Sequence, residues 1–109
     1  MHELAIAESM VDAVLEHTGT AEVRAVRLEV GTLAGVLPDA LRFCFELAAD
    51  GTPLAGAQLD ISEPGGLAHC RHCGADFGVD GLILLCPCGS ADVRVLSGQQ
   101  LRILSVEVG

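Results

Sequence analysis

The chain has 109 residues, 50% of them hydrophobic, 19% charged and 3% aromatic, with 15 acids set against 6 Arg and no Lys for a formal net charge of -9. Nucleic-acid binding needs clustered Lys and Arg to displace counterions from phosphates, so this composition argues against DNA or RNA, and equally against an anionic membrane surface. At this length one domain is the ordinary outcome, and a second lobe has to be small and stapled.

Residues 3 to 17 read as a helix, because Leu4, Ala7, Val11, Val14 and Leu15 recur at three- and four-residue intervals while Glu3, Glu8, Asp12 and Glu16 take other angles. Gly19 ends it. From Glu22 to Val30 the pattern alternates, with Val26, Leu28 and Val30 against Arg27 and Glu29; the phase slips at Ala25-Val26, which marks a bulge in the expected strand. Gly31 through Gly35 read as a loop. Pro38 suits the first turn of a second helix over 38 to 49, whose apolar stripe is Leu41, Phe45, Leu47 and Ala48.

A second strand is expected over Ala57 to Glu63, stopped by Pro64-Gly65-Gly66, and a third over Leu101 to Val108. Between them, residues 67 to 97 hold four of the five Cys, the turn-forming Gly74, Gly78, Gly81 and Gly89, and only short apolar runs, so this insert must draw most of its stability from a bound metal. The fold class is therefore α+β: a small three-stranded sheet with two helices on its apolar face, plus an inserted four-cysteine, zinc-ribbon-like lobe. The domains are 1 to 66 joined with 98 to 109, and 67 to 97. The run Leu82-Ile83-Leu84-Leu85 is far short of the roughly 18 apolar residues of a membrane span, and the N-terminus is amphipathic without a basic leader, so a cytoplasmic protein is expected.

Cys70, Cys73, Cys86 and Cys88 are spaced x2, x12 and x, while Cys44 lies apart; in a reducing compartment such clustering favours metal ligation over cross-linking. Gly74 and Gly89 follow the second Cys of each pair, where a tight knuckle turns backbone N–H groups toward the sulfurs. Four thiolates in this order suit tetrahedral Zn(II), with an iron site or free or disulfide-bonded thiols as the alternatives. All four positions are filled by protein, leaving no open site to activate water, so the metal is expected to be structural. His69 and His72 flank and interrupt the first pair, where they are either solvated or coupled to the metal. Cys44, between Phe43 and Phe45, fits a small apolar filler; His17 near a helix C-terminus and Asp39 near a helix N-terminus fit dipole contacts, and Glu63 an ordinary strand end.

Met1-His2-Glu3 is the second place where chemistry can concentrate. A free α-amine, a backbone nitrogen and the His2 imidazole can close fused chelate rings, and nitrogen donors near one plane suit Ni(II) or Cu(II). The bulky His2 protects Met1 from removal, since that cleavage generally requires a small neighbour. Several segments taken together, MHELAIAESMVDAVLE, VRLEVGTLAGV, LPDALRFCFEL, LDISEP and CRHCG…LCPCGS, resemble the HypA/HybF family of hydrogenase-maturation nickel chaperones over essentially the whole chain. The departure is Cys86-Pro87-Cys88, where the family usually has a second CxxC.

The resemblance implies a nickel site at Met1, His2 and Glu3 with His2 as the indispensable ligand, a structural zinc lobe at Cys70, Cys73, Cys86 and Cys88, and delivery of Ni(II) to the [NiFe]-hydrogenase precursor with the GTPase HypB. Whether Glu3 contributes its backbone nitrogen or its carboxylate stays open at this level. No catalytic set or phosphate loop is visible, so no enzyme activity is expected. Two other classes compete: a zinc-ribbon adaptor without a transferable metal, and a thiol redox enzyme using Cys70 and Cys73.

Overall fold

The computed structural model describes residues 2–79 and 83–109, in the order α1 (His2–Thr18), β1 (Val23–Val30), α2 (Pro38–Ala49), β2 (Gln58–Ser62), β3 (Gly66–Cys70), β4 (Asp76–Val79), β5 (Val93–Ser97) and β6 (Leu101–Val108). Met1, Gly81 and Leu82, to which the sequence reading assigned a nickel ligand, a turn and the start of an apolar run, lie outside the described residues. The fold is α+β. Among the described residues two three-stranded sheets form, one in the order β2-β1-β6 and one in the order β4-β3-β5.

The chain divides into two compact units, one of Met1–Leu28, Val36–Ile61 and Arg102–Gly109, the other of Glu29–Gly35 and Ser62–Leu101. The segment 29–35 therefore packs with the cysteine-bearing unit, whereas the sequence reading grouped it with the helices. Backbone bonds explain why: Gly31 N–H donates to Gln100 O at 2.7 Å, Thr32 N–H to Pro64 O at 3.0 Å and Leu33 N–H to Gly98 O at 2.7 Å. The approach leaves no room for a side chain, since a Cβ on Gly31 would overlap the carbonyl of Gly98.

In the first unit α1 buries Ala7, Met10, Val11 and Val14, one stripe at helical spacing, and packs against α2. Leu4, expected on that stripe, is instead 42% exposed, and Met10 takes the inward angle. The α1 helix closes at Gly19, whose N–H reaches Leu15 O at 2.9 Å with φ of 61°.

α2 buries Leu41, Phe45 and Ala49, a four-residue repeat, and Leu47 falls between turns of that stripe and stays exposed, which corrects its assignment to the core. In β1 the buried residues are Val23, Val26, Leu28 and Val30, so the inward phase does shift between Val23 and Val26. Leu41 and Leu54 are fully buried, each contributing about 1.5–3 kcal/mol over exposure.

The second unit holds structure that the sequence pattern did not reveal. β3 pairs antiparallel with β4, His69 opposite Asp76, and antiparallel with β5, Cys70 opposite Val93, with a shift in register between Leu67 and Ala68. Among the described residues of 67–97 the buried ones are Ala68, Cys70, Val79 and Cys86. Two of these four are candidate metal ligands, so the apolar core of the insert is as thin as its composition implies.

Candidate metal centres

The four clustered cysteines meet in space. Their sulfurs all lie within 4.8 Å of one another, with Cys70 and Cys88 Sγ 3.8 Å apart and Cys73 and Cys86 Sγ 3.6 Å apart. The edge of a tetrahedron built on bonds of about 2.3 Å is about 3.8 Å, so the spacing fits one four-coordinate thiophilic cation and is far too long for a disulfide of about 2.05 Å.

Two knuckles bring the sulfurs together. At the first, Gly74 N–H bonds to Cys70 O at 2.9 Å and Cys73 N–H points at Cys70 Sγ at 3.4 Å; Gly74 supplies the φ of 79° that the turn needs. At the second, Gly89 N–H bonds to Cys86 O at 2.8 Å, Cys86 N–H to Ser90 O at 2.9 Å, and Cys88 N–H points at Cys86 Sγ at 3.5 Å. The single residue between Cys86 and Cys88 thus still permits a turn that directs both thiols inward, Gly89 completing it with φ of 97°.

The electrostatics of the four thiols are uneven. The Cys73 N–H, outweighing burial, and with help from the neighbouring backbone and thiols, holds Cys70 down to about 6. At Cys86 the Cys88 N–H pulls downward, but burial and the sulfurs of Cys88, Cys73 and Cys70 overcome it and push that thiol up to about 12. Four thiolates crowded together repel unless positive charge sits among them, which is what a divalent ion supplies.

Outside the ligands, His69 Nδ1 lies 2.6 Å from Asp76 Oδ1 across the β3–β4 pair, and Arg71 Nη1 donates to Asp92 Oδ1 at 3.0 Å. These contacts fix the strand that ends in Cys70. His72 is exposed, and Cys44 is half-buried on α2.

At the other candidate centre the sequence-predicted residues His2 and Glu3 open α1. Their side chains are turned differently: His2 is 59% exposed, Glu3 only 13%. Glu3 Oε2 accepts the N–H of Leu37 at 3.3 Å, 34 positions away, and lies 3.7 Å from His2 Nε2. That Leu37 bond, with the residue's own N–H and nearby positive charge, keeps the Glu3 carboxyl below its usual 4.5. Leu37 was invisible to sequence reasoning, since a backbone N–H leaves no mark in the residue type. Asp39 is exposed in the first turn of α2, two positions beyond Leu37.

Residues 1–108 match the family model described as hydrogenase/urease nickel incorporation, metallochaperone, HypA. A hydrogenase maturation factor HypA from Trichormus variabilis is 44% identical over 108 residues, covering 99% of this chain and 96% of that relative. Another from Streptomyces avermitilis is 48% identical over 113 residues, covering 97% of this chain and 86% of the relative. In fold, the chain is similar to the solution structure of the Ni metallochaperone HypA from Helicobacter pylori, with a TM-score of 0.67 at 24% identity over 99% of this chain and 97% of that one. A match that runs through both candidate centres, joined to the four-sulfur cluster, places the chain in the HypA family of nickel-incorporation metallochaperones for hydrogenase maturation.

Proposed function

We propose that this protein takes up Ni(II) at Met1, His2 and Glu3 and hands it to a [NiFe]-hydrogenase precursor, while Zn(II) at Cys70, Cys73, Cys86 and Cys88 braces the second lobe. Within this reading residues 1–66 and 98–109 carry the nickel function and 67–97 the zinc. The GTPase HypB is the expected partner, the cytoplasm the expected compartment, and no bond in a substrate is made or broken. Among the described residues no helix is long and apolar enough to cross a membrane.

The observation that carries this reading is the placement of His2. Its imidazole is largely exposed at the start of α1, where the first backbone N–H groups have no acceptor within the helix. An ion can therefore gather ring and backbone nitrogens without breaking a helical hydrogen bond. The nitrogen donors suit Ni(II), whereas the four sulfurs suit a softer tetrahedral site that holds its ion. An exposed chelate can be released one bond at a time, as delivery requires, whereas a cluster of four thiolates anchored through the buried Cys70 and Cys86 is suited to retain its ion.

The test is His2→Ala with the cysteine cluster intact. Nickel titration should lose the high-affinity site and hydrogenase maturation in cells should fail, with metal analysis still finding one zinc per chain. Unchanged nickel binding and maturation would leave only a docking role for the zinc-bearing lobe.

A further inference from the structure

The Glu3 carboxylate already has an occupation. In a capping box, a Glu at the third position of a helix reaches back to the N–H of its N-cap residue. α2 cannot do this for itself, because its N-cap is Leu37, no side chain caps it, and the third helical position is Ala40. Glu3 supplies the missing acceptor from the other helix, through Oε2 at 3.3 Å. The same oxygen is the one 3.7 Å from His2 Nε2, an ion-pair separation.

We propose that Glu3 is the positioning residue of the amino-terminal nickel site and not a carboxylate donor: pinned by the Leu37 N–H, it faces His2 Nε2 and leaves Nδ1 to the ion. This rests on the nickel reading given above. The chemistry favours that division. Nδ1 is the ring nitrogen near the backbone, so it alone can share an ion with the His2 or Glu3 main-chain nitrogen, while Nε2 points away. A metal-bound imidazole commonly donates its other N–H to a carboxylate, which fixes the tautomer and raises its basicity. Glu3, at 13% exposure beside a 59% exposed His2, is placed for that task rather than for meeting an ion from solvent. The chain thereby ties the first turn of α1 to the start of α2, and the ligand's orientation depends on a backbone group far away in sequence.

The test uses the full zinc-loaded chain with a native amino terminus, titrated with Ni(II) alone, and reads both affinity and the donor set by X-ray absorption. Leu37→Pro removes the N–H but no atom that could bind nickel, and the extended backbone of Leu37 (φ −88°, ψ 114°) tolerates proline. Leu37→Pro and Glu3→Ala should each weaken nickel binding about 10–100-fold with the donor set unchanged, and Leu37→Ala, which keeps the N–H, should bind as the parent does.

A folded Leu37→Pro protein with parental affinity, or a Glu3→Ala protein that loses an oxygen donor, would overturn the positioning role. If Leu37→Pro fails to fold, the donor set and affinity of Glu3→Ala decide. His2→Ala separates the two levels: parental affinity there would remove the amino-terminal nickel site itself, whereas loss there with no effect in Glu3→Ala removes only the role of Glu3.

Discussion

Cys73 Sγ lies 3.6 Å from Cys86 Sγ although thirteen positions separate them, and between the two residues the chain leaves and returns through β4. Closing that excursion is work that the few buried apolar residues of the insert are ill-equipped to do, and on the metal-bound reading proposed above a cation held by the four sulfurs does it.

Metal removal should therefore act locally. Stripping the protein with a strong chelator, or replacing Cys73 by Ser, should abolish amide-exchange protection through β3, β4 and β5 while α1 and α2 stay protected by their own core of Val14, Leu41 and Phe45. Full protection of β3 to β5 in metal-free protein would contradict this.

The loop 31–33 offers a second test, since its backbone bonds depend on a glycine. Gly31→Ala puts a methyl group into the Gly98 carbonyl, and backbone rather than a flexible side chain must yield. We expect a loss of about 1–3 kcal/mol in urea unfolding, with Gly35→Ala, where the added atom meets nothing but φ is 74°, affected by backbone strain only.

Leu41 reports on the helical core. It is fully buried on the face α2 turns inward, so Leu41→Ala should cost about 2–5 kcal/mol, while Leu47→Ala, at 56% exposure, should stay within about 0.5 kcal/mol. Comparable losses at the two positions would mean that the buried face has been misassigned.

Much of this was legible before the structure. Both helices declare themselves by apolar spacing and by Pro38, because each presents one face to a core large enough to impose a period; β6 is legible from its β-branched and apolar residues, although none of them is buried. Leu4 and Leu47 mislead for the same reason: they are apolar at nearly the right angle, and only packing decides which neighbour faces in. β3, β4 and β5 were not legible, since strands of four or five residues, one of them interrupted by Gly78, are ordered by antiparallel pairing and show no apolar period. The cysteine cluster could be read from spacing, including the short Cys86–Cys88 interval. The Glu3–Leu37 bond could not, because its donor is a main-chain group 34 positions away.

That bond has a pH signature. The folded state holds the Glu3 carboxyl below 4.5, chiefly through the Leu37 N–H, so its stabilising effect is complete above that pH and is lost as pH falls through the lowered value. The stability difference between the parent and Glu3→Ala should accordingly be largest near neutrality and shrink on acidification below about 4.5. A difference that stayed constant, or grew, as pH fell would rule out the ionised carboxylate as the acceptor.

The central claim is that the imidazole of His2 and the free amine before it hold a removable nickel ion. The most direct measurement is a Ni(II) titration of zinc-loaded protein with its amino terminus native, beside the same protein carrying a short N-terminal extension. The account predicts that the extension abolishes tight binding while zinc content and fold are preserved; equal affinity in the two proteins would contradict it.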